Sequence, residues 1–115
     1  MTLPSAEARM TDAELVRRAR QNERSAQEQL VRRYAPKLLA VCRARIGRDE
    51  AVEDLAQEAL LRGLTHLCSL EDPARLGAWL RGIAVRVCQD WLRARRRRQI
   101  PFSAGNGEYA NEGTC

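Results

Sequence analysis

The chain has 115 residues, of which 44% are apolar and only 4% aromatic, and 20 basic residues against 15 acidic ones give it a net charge of +5. That length makes one domain able to bury about two thirds of its unfolded surface, with a core that must be aliphatic. A single histidine, no Ser–His–Asp set, no phosphate-cradling glycine loop and no helical pair of metal-binding histidines argue against an enzyme, while the basic excess points to a polyanionic partner.

Met1 to Met10 form a polar leader containing Pro4 and lacking the apolar core of a secretory signal, and it reads as disordered. Cys42, Cys68, Cys88 and Cys115 show no close pairing, so the expectation is reduced thiols in a cytoplasmic protein. His66 and Cys68 have no second ligand pair at metal-binding spacing, so neither a metal nor another cofactor is expected. No apolar run is long enough to span a membrane.

Thr11-Asp12-Ala13-Glu14 has the form of a capping box and predicts a short helix through Leu15, Val16 and Ala19 that fades near Asn22. Ser25-Ala26-Gln27-Glu28 has the same form and predicts a longer helix with Leu30, Val31, Tyr34, Leu38, Val41, Cys42 and Ile46 inward. Pro36 falls inside that pattern, so a kink or a break is expected one turn before it. Gly47 is a natural stop.

The stretch Arg48–Leu64 is the most sharply patterned. Val52, Leu55, Ala56, Ala59, Leu60, Gly63 and Leu64 fall at the three-and-four spacing of one buried stripe. Asp49 can cap this helix, which is expected to reach about Leu67. The other side carries Glu50, Glu53, Asp54, Gln57, Glu58 and Leu61. An acidic helix face is usually no more than solvated. Here it sits between Arg-rich segments, and Leu61 lies among its carboxylates, which suits a protein-docking surface.

A connection follows from Cys68 to Gly77, in which Asp72-Pro73 could also open the last helix. Trp79, Leu80, Ile83, Ala84, Val87, Cys88, Trp91 and Leu92 then recur at helical spacing, opposite Arg81, Arg86, Gln89, Asp90 and Arg93. The helix ends in Arg95-Arg96-Arg97-Arg98 and is closed by Pro101. Arg75 to Arg98 hold eight arginines and one acid, Asp90. Helix-dipole capping accounts for one or two of these; phosphate binding accounts for the rest better. Trp79 and Trp91 could stack on bases, although their place in the apolar stripe favours core packing. Ser103 to Cys115 read as a flexible acidic tail. No strand-like alternation and no internal repeat appear, so the fold class is all-α: a bundle of about four helices over residues 11–100, between a leader (1–10) and a tail (101–115).

The order of three segments resembles region 2 of bacterial sigma factors, most nearly of the extracytoplasmic-function (ECF) class. They are Leu30-Val31-Arg32-Arg33-Tyr34, Glu53-Asp54-Leu55-Ala56-Gln57-Glu58, and Ala78-Trp79-Leu80-Arg81-Gly82-Ile83-Ala84-Val85 with its Arg tail. The resemblance covers about residues 11 to 100. It implies that Glu50, Asp54, Gln57, Glu58 and Leu61 dock on the basic coiled-coil of the RNA polymerase β′ clamp. It implies that the loop Ser69–Leu76, with Ser69, Leu70, Glu71, Asp72 and Arg75, captures a flipped base of the minus-ten promoter element. Arg81, Arg86, Arg93, Arg95, Arg96, Arg97 and Arg98 would follow the phosphates of the non-template strand, and an anti-sigma factor is a further implied partner. Leu60 stands where the family often has an aromatic, a change that keeps the position apolar. Family members normally carry a second domain that reads the minus-thirty-five element, which residues 1–115 do not supply. The residues alone leave two other readings open: a protein-interaction module that binds polymerase or an anti-sigma factor without reading DNA, and a DNA-binding regulator that never meets polymerase.

Overall fold

The computed structural model describes residues 10–97. Four α-helices run through them: α1, Asp12–Arg20; α2, Arg24–Ile46; α3, Ala51–Thr65; and α4, Leu76–Arg96. Two single 3-10 turns, Leu67–Ser69 and Pro73–Arg75, join α3 to α4. The described residues contain no strand, as the alternation-free sequence leads one to expect. α2 packs against α1, α3 and α4, and α3 and α4 pack against each other.

Each helix boundary has a local cause. The Thr11 hydroxyl accepts the Glu14 amide at 3.1 Å, so the first capping box forms. The chain then reverses through Asn22 at φ +66°, a left-handed position that asparagine tolerates better than most residues. That turn brings α2 in earlier than Ser25-Ala26-Gln27-Glu28 suggests. The helix starts at Arg24 with Glu23 at its N-cap and no side-chain cap. Ser25 therefore lies within the first turn, and Gln27 Nε2 instead donates to the Ala19 carbonyl at 3.1 Å, closing the end of α1.

The break expected near Pro36 does not occur. α2 is continuous for 23 residues. Pro36 lies on the exposed side, whereas Leu30, Tyr34, Leu38 and Cys42 bury the opposite row on both sides of it. The proline therefore costs one backbone bond at the solvent face and disturbs no packing. α2 ends at Gly47, whose φ of +93° needs a residue without a Cβ. Asp49 Oδ1 accepts the Ala51 amide at 2.8 Å and so caps the start of α3.

The core is aliphatic, as the composition requires. Leu15, Val16, Leu38, Val52 and Leu76 are among its largest fully buried side chains. Val31, Val41 and Ile46 of α2 are only half-buried at its margin. Leu60 is buried, so aliphatic bulk fills that place. Leu92, expected inside, is exposed at 37%. Met10, assigned to the leader, packs against the core. Met1 to Arg9, Arg98 and the tail lie outside the described residues.

Two contacts between helices fix their spacing. A Cβ placed on Gly63 of α3 would collide with Leu80 Cδ2 of α4, so any larger residue there must push Leu80 aside. The Tyr34 hydroxyl donates to Asp12 Oδ2 at 2.5 Å, and Arg33 Nη1 meets Asp12 Oδ1 at 2.9 Å, locking α1 to α2. Burial, then the hydrogen bond to Asp12, pushes the Tyr34 phenol up to about 12. Cys42 and Cys88 are free, fully buried thiols. Burial, then the hydrogen bond to Cys88, pushes the Cys42 thiol up to about 12. The expectation of reduced thiols holds for these two core cysteines.

Gly63→Val is accordingly expected to cost about 1–3 kcal/mol in urea unfolding. Combined with Leu80→Ala it should cost at least about 0.5 kcal/mol less than the two single changes summed, because the added methyls enter the space that Leu80 vacates. The raised groups also predict alkaline lability. Both are neutral when protonated, so their stabilisation is complete below the ordinary values of 9 for Cys42 and 10 for Tyr34 and is lost as pH rises to about 12. The urea midpoint should fall across pH 9–12, and Tyr34→Phe should remove only the portion of that fall above pH 10.

Candidate polymerase and nucleic-acid interface

The structure places the sequence-predicted residues in two separate groups. On α3, Glu50, Asp54, Gln57 and Leu61 follow one another at intervals of four, three and four residues, which sets them in one stripe. All four are exposed, and so are Glu53 and Glu58 beside them. Leu61 is 61% exposed, a large apolar side chain in water amid carboxylates. Glu58 is held by Arg62 Nε at 3.0 Å. The acidic face is thus partly neutralised at one margin and open along its centre.

The second group gathers around the α3–α4 connection. Leu67 and Leu70 anchor it by burying their side chains, Leu70 to 5% exposure. Leu70 is therefore fixed in the core and offers mainly backbone to a ligand. Asp72 Oδ1 accepts the Ala74 amide at 3.1 Å, and Pro73 opens the second 3-10 turn. Asp72-Pro73 does cap and start a helical segment, but α4 proper begins at Leu76, so Gly77 lies in the helix and not in the connection. Ser69, Leu70, Glu71, Asp72, Arg75, Ala78 and Trp79 line an open depression of about 510 Å³. Trp79 packs against the core, as its place in the apolar stripe implies, and its remaining surface walls this depression.

One contributor was not legible in the sequence. Arg20, the last residue of α1, donates through Nε and Nη2 to the Leu67 carbonyl at 3.2 and 3.1 Å and through Nη2 to the Leu70 carbonyl at 2.5 Å. The Leu67 carbonyl also accepts the Leu70 amide at 3.2 Å within its 3-10 turn, so Arg20 reinforces that turn and adds a partner for the Leu70 carbonyl. The interaction spans about fifty positions of chain, and no local spacing announces it. His66 is fixed separately, its Nδ1 lying 3.1 Å from the Arg62 carbonyl.

The arginines of α4 divide. At about 100° per residue, Arg86 and Arg93 fall within roughly 20° of one another, and Arg75, in the 3-10 turn before the helix, stands at the depression's edge. Arg81 lies well over 100° around the helix from Arg86 and Arg93. Arg86, Arg96 and Arg97 are exposed without an ion pair among the described residues. Arg93 meets Asp90 at 3.7 Å. Arg95 is engaged with the fold: its Nη1 reaches Asp49 Oδ2 at 3.4 Å, and its guanidinium lies 4.8 Å from the Trp91 ring centroid. It ties the end of α4 to the cap of α3.

The family model of Sigma-70 region 2 matches residues 30–98. The chain belongs to this family. Among curated proteins it is 44% identical over 62 residues to a probable RNA polymerase sigma factor, RfaY, of Xanthomonas campestris pv. campestris, a match covering 53% of this chain and 16% of that protein. It is 38% identical over 72 residues to the ECF RNA polymerase sigma factor SigG of Mycobacterium tuberculosis, covering 63% of this chain and 20% of that one. It is 29% identical over 89 residues to the ECF RNA polymerase sigma-E factor of Haemophilus influenzae, covering 77% and 47%. These relatives place the region 2 domain in the ECF class. The chain spans less than half the length of each of these three proteins. No solved structure matches it.

The grip of Arg20 yields a prediction. Arg20→Gln should release the Leu67 and Leu70 carbonyls, and charge-assisted bonds of this kind contribute about 1.5–3 kcal/mol. Hydrogen exchange at the Ser69 and Leu70 amides, which bond within the turn, is expected to accelerate roughly tenfold or more, while the interior of α2 keeps its protection.

Proposed function

We propose that this domain acts in transcription initiation as the promoter-recognition module of a cytoplasmic sigma factor, with no chemistry of its own. Glu50, Asp54, Gln57, Glu58 and Leu61 dock on the basic coiled-coil of the polymerase β′ clamp, with Leu61 as the apolar centre of a carboxylate-rimmed interface. The connection Ser69–Leu76 receives an unstacked base of the minus-ten element. Arg75, Arg86 and Arg93 then follow the phosphates of the non-template strand. An anti-sigma factor would compete for the same surfaces.

The observation that carries this reading is the depression itself. Its lining combines hydroxyl, carboxylate and guanidinium groups with the exposed part of an indole. A base needs this combination: a π-face to stack on and polar groups for its edge. Arg75 also stands at the depression's edge, so a captured base would place its own backbone beside that guanidinium. Arg81 lies off the row of Arg86 and Arg93, and Arg95 is bound to Asp49, so neither is assigned a share of this path.

Binding to core RNA polymerase tests the dock. Asp54→Arg with Glu58→Arg is expected to abolish binding with the circular dichroism unchanged, and undiminished affinity would refute the assignment. On the DNA side, Arg75→Gln, Arg86→Gln and Arg93→Gln together should lower affinity for a single-stranded minus-ten oligonucleotide. They should also flatten its logarithmic salt dependence by about 2, at roughly 0.7 for each phosphate that is no longer neutralised.

A further inference from the structure

α2 carries a second basic surface that the proposed function does not use. It holds six cations, Arg24, Arg32, Arg33, Lys37, Arg43 and Arg45, against one acid, Glu28. α4 has five arginines against Asp90, so α2 is the more basic helix of the two. Arg33 is committed to Asp12. Arg24, Arg32, Lys37, Arg43 and Arg45 are exposed, as is Arg48 just beyond the helix, and none of them makes an ion pair among the described residues. Arg17 and Arg18 meet Glu14, Arg62 meets Glu58 and Arg95 meets Asp49, whereas Arg86, Arg96 and Arg97 share with the exposed α2 cations the lack of an ion pair among the described residues.

Glu28 stands four positions from both Arg24 and Arg32, yet it pairs with neither among the described residues. Neither Lys37 nor Arg43 has an acid three or four positions away in either direction, where helical ion pairs form. Lys37 instead lies over the Tyr34 ring, its Nζ 5.5 Å from the centroid, which leaves its charge unneutralised. Arg45 reaches only Asp49, whose carboxylate already serves the Ala51 amide and Arg95. Between the cations the exposed surface is Pro36, Ala40 and Ala44. These small side chains make a low floor that a backbone can approach closely. Arg32 and Arg43 lie 11 residues apart, roughly 16 Å along the axis at 1.5 Å per residue. That distance is about five phosphates of one DNA strand at 3.4 Å each.

We propose that this face of α2 is a sequence-independent contact to the phosphate backbone of duplex DNA, separate from the depression and the α4 row. Exposed guanidinium groups flanking a floor of small residues suit phosphate oxygens, which take bidentate hydrogen bonds and release counterions. Such a face lends affinity and carries no base preference. The inference does not depend on the promoter reading, because a generic duplex offers no unstacked base.

The test measures binding of the 115-residue chain to a fluorescent random-sequence duplex of about thirty base pairs across a series of salt concentrations. Arg32→Gln, Lys37→Gln and Arg43→Gln together are expected to weaken binding roughly tenfold or more at low salt and to flatten the logarithmic salt slope by about 2–3. A charge-matched control, Arg17→Gln, Arg18→Gln and Arg62→Gln, should leave the slope near that of the unaltered chain. An unchanged slope in the α2 variant, an equal change in the control, or no duplex binding by the unaltered chain would each overturn the proposal. Preference for a single-stranded minus-ten oligonucleotide over the duplex, measured with the same proteins, reports separately on the promoter reading.

Discussion

Close approach of the helices is the constraint on which the rest of this structure depends. With few aromatics, the core is built from leucine, valine, alanine and buried cysteine. Small residues stand where helices cross: Ala26 in α2, Ala56, Ala59 and Gly63 in α3, Ala84 in α4. Gly63 against Leu80 is the tightest of these approaches. Short interaxial distances let modest side chains fill the interior at native density. They also bring the start of α3 beside the end of α4, so Arg95 can reach Asp49. The acidic stripe and the arginine row are thus held on neighbouring helices with little freedom to shift against one another. A domain that holds a basic protein surface and an acidic strand together gains from that fixed spacing.

Much of this was legible in the sequence. Period-3.6 patterning located all four helices of the described residues, and Thr11, Gly47 and Asp49 act at their ends as their chemistry suggests. The acidic stripe could be read because every one of its members lies within a few turns of a single helix. Where tertiary context set the outcome, local rules went astray. Ser25 looked like a cap, but the turn at Asn22 had already brought the helix in. Pro36 looked like a break, but its missing bond falls on the solvent side. Leu92 fits the buried stripe by spacing, yet it is exposed.

The candidate site was legible only in outline. Ser69, Glu71, Asp72 and Arg75 were singled out by resemblance, and they line one depression. Spacing alone could not say that Leu70 would be buried or that Trp79 would serve both core and wall. The basic face of α2 went unremarked for a different reason. Its cations, with Arg48, are spread over about 25 positions and never form a run, so only a surface that shows which of them lack ion pairs brings them into view.

α1 reaches both ends of the connection that forms the depression. Its last residue, Arg20, grips the Leu67 and Leu70 carbonyls. Its first residue, Asp12, holds the Tyr34 hydroxyl, which in turn lies against Gly77, where a Cβ would come within 3.2 Å of it. This nine-residue helix packs against both 3-10 turns of the connection, and it lies outside residues 30–98, the stretch that matches the family model. The stiffness of the depression is therefore set by residues that need touch neither polymerase nor DNA. Changes in this first helix would loosen or tighten the depression without altering any residue that lines it.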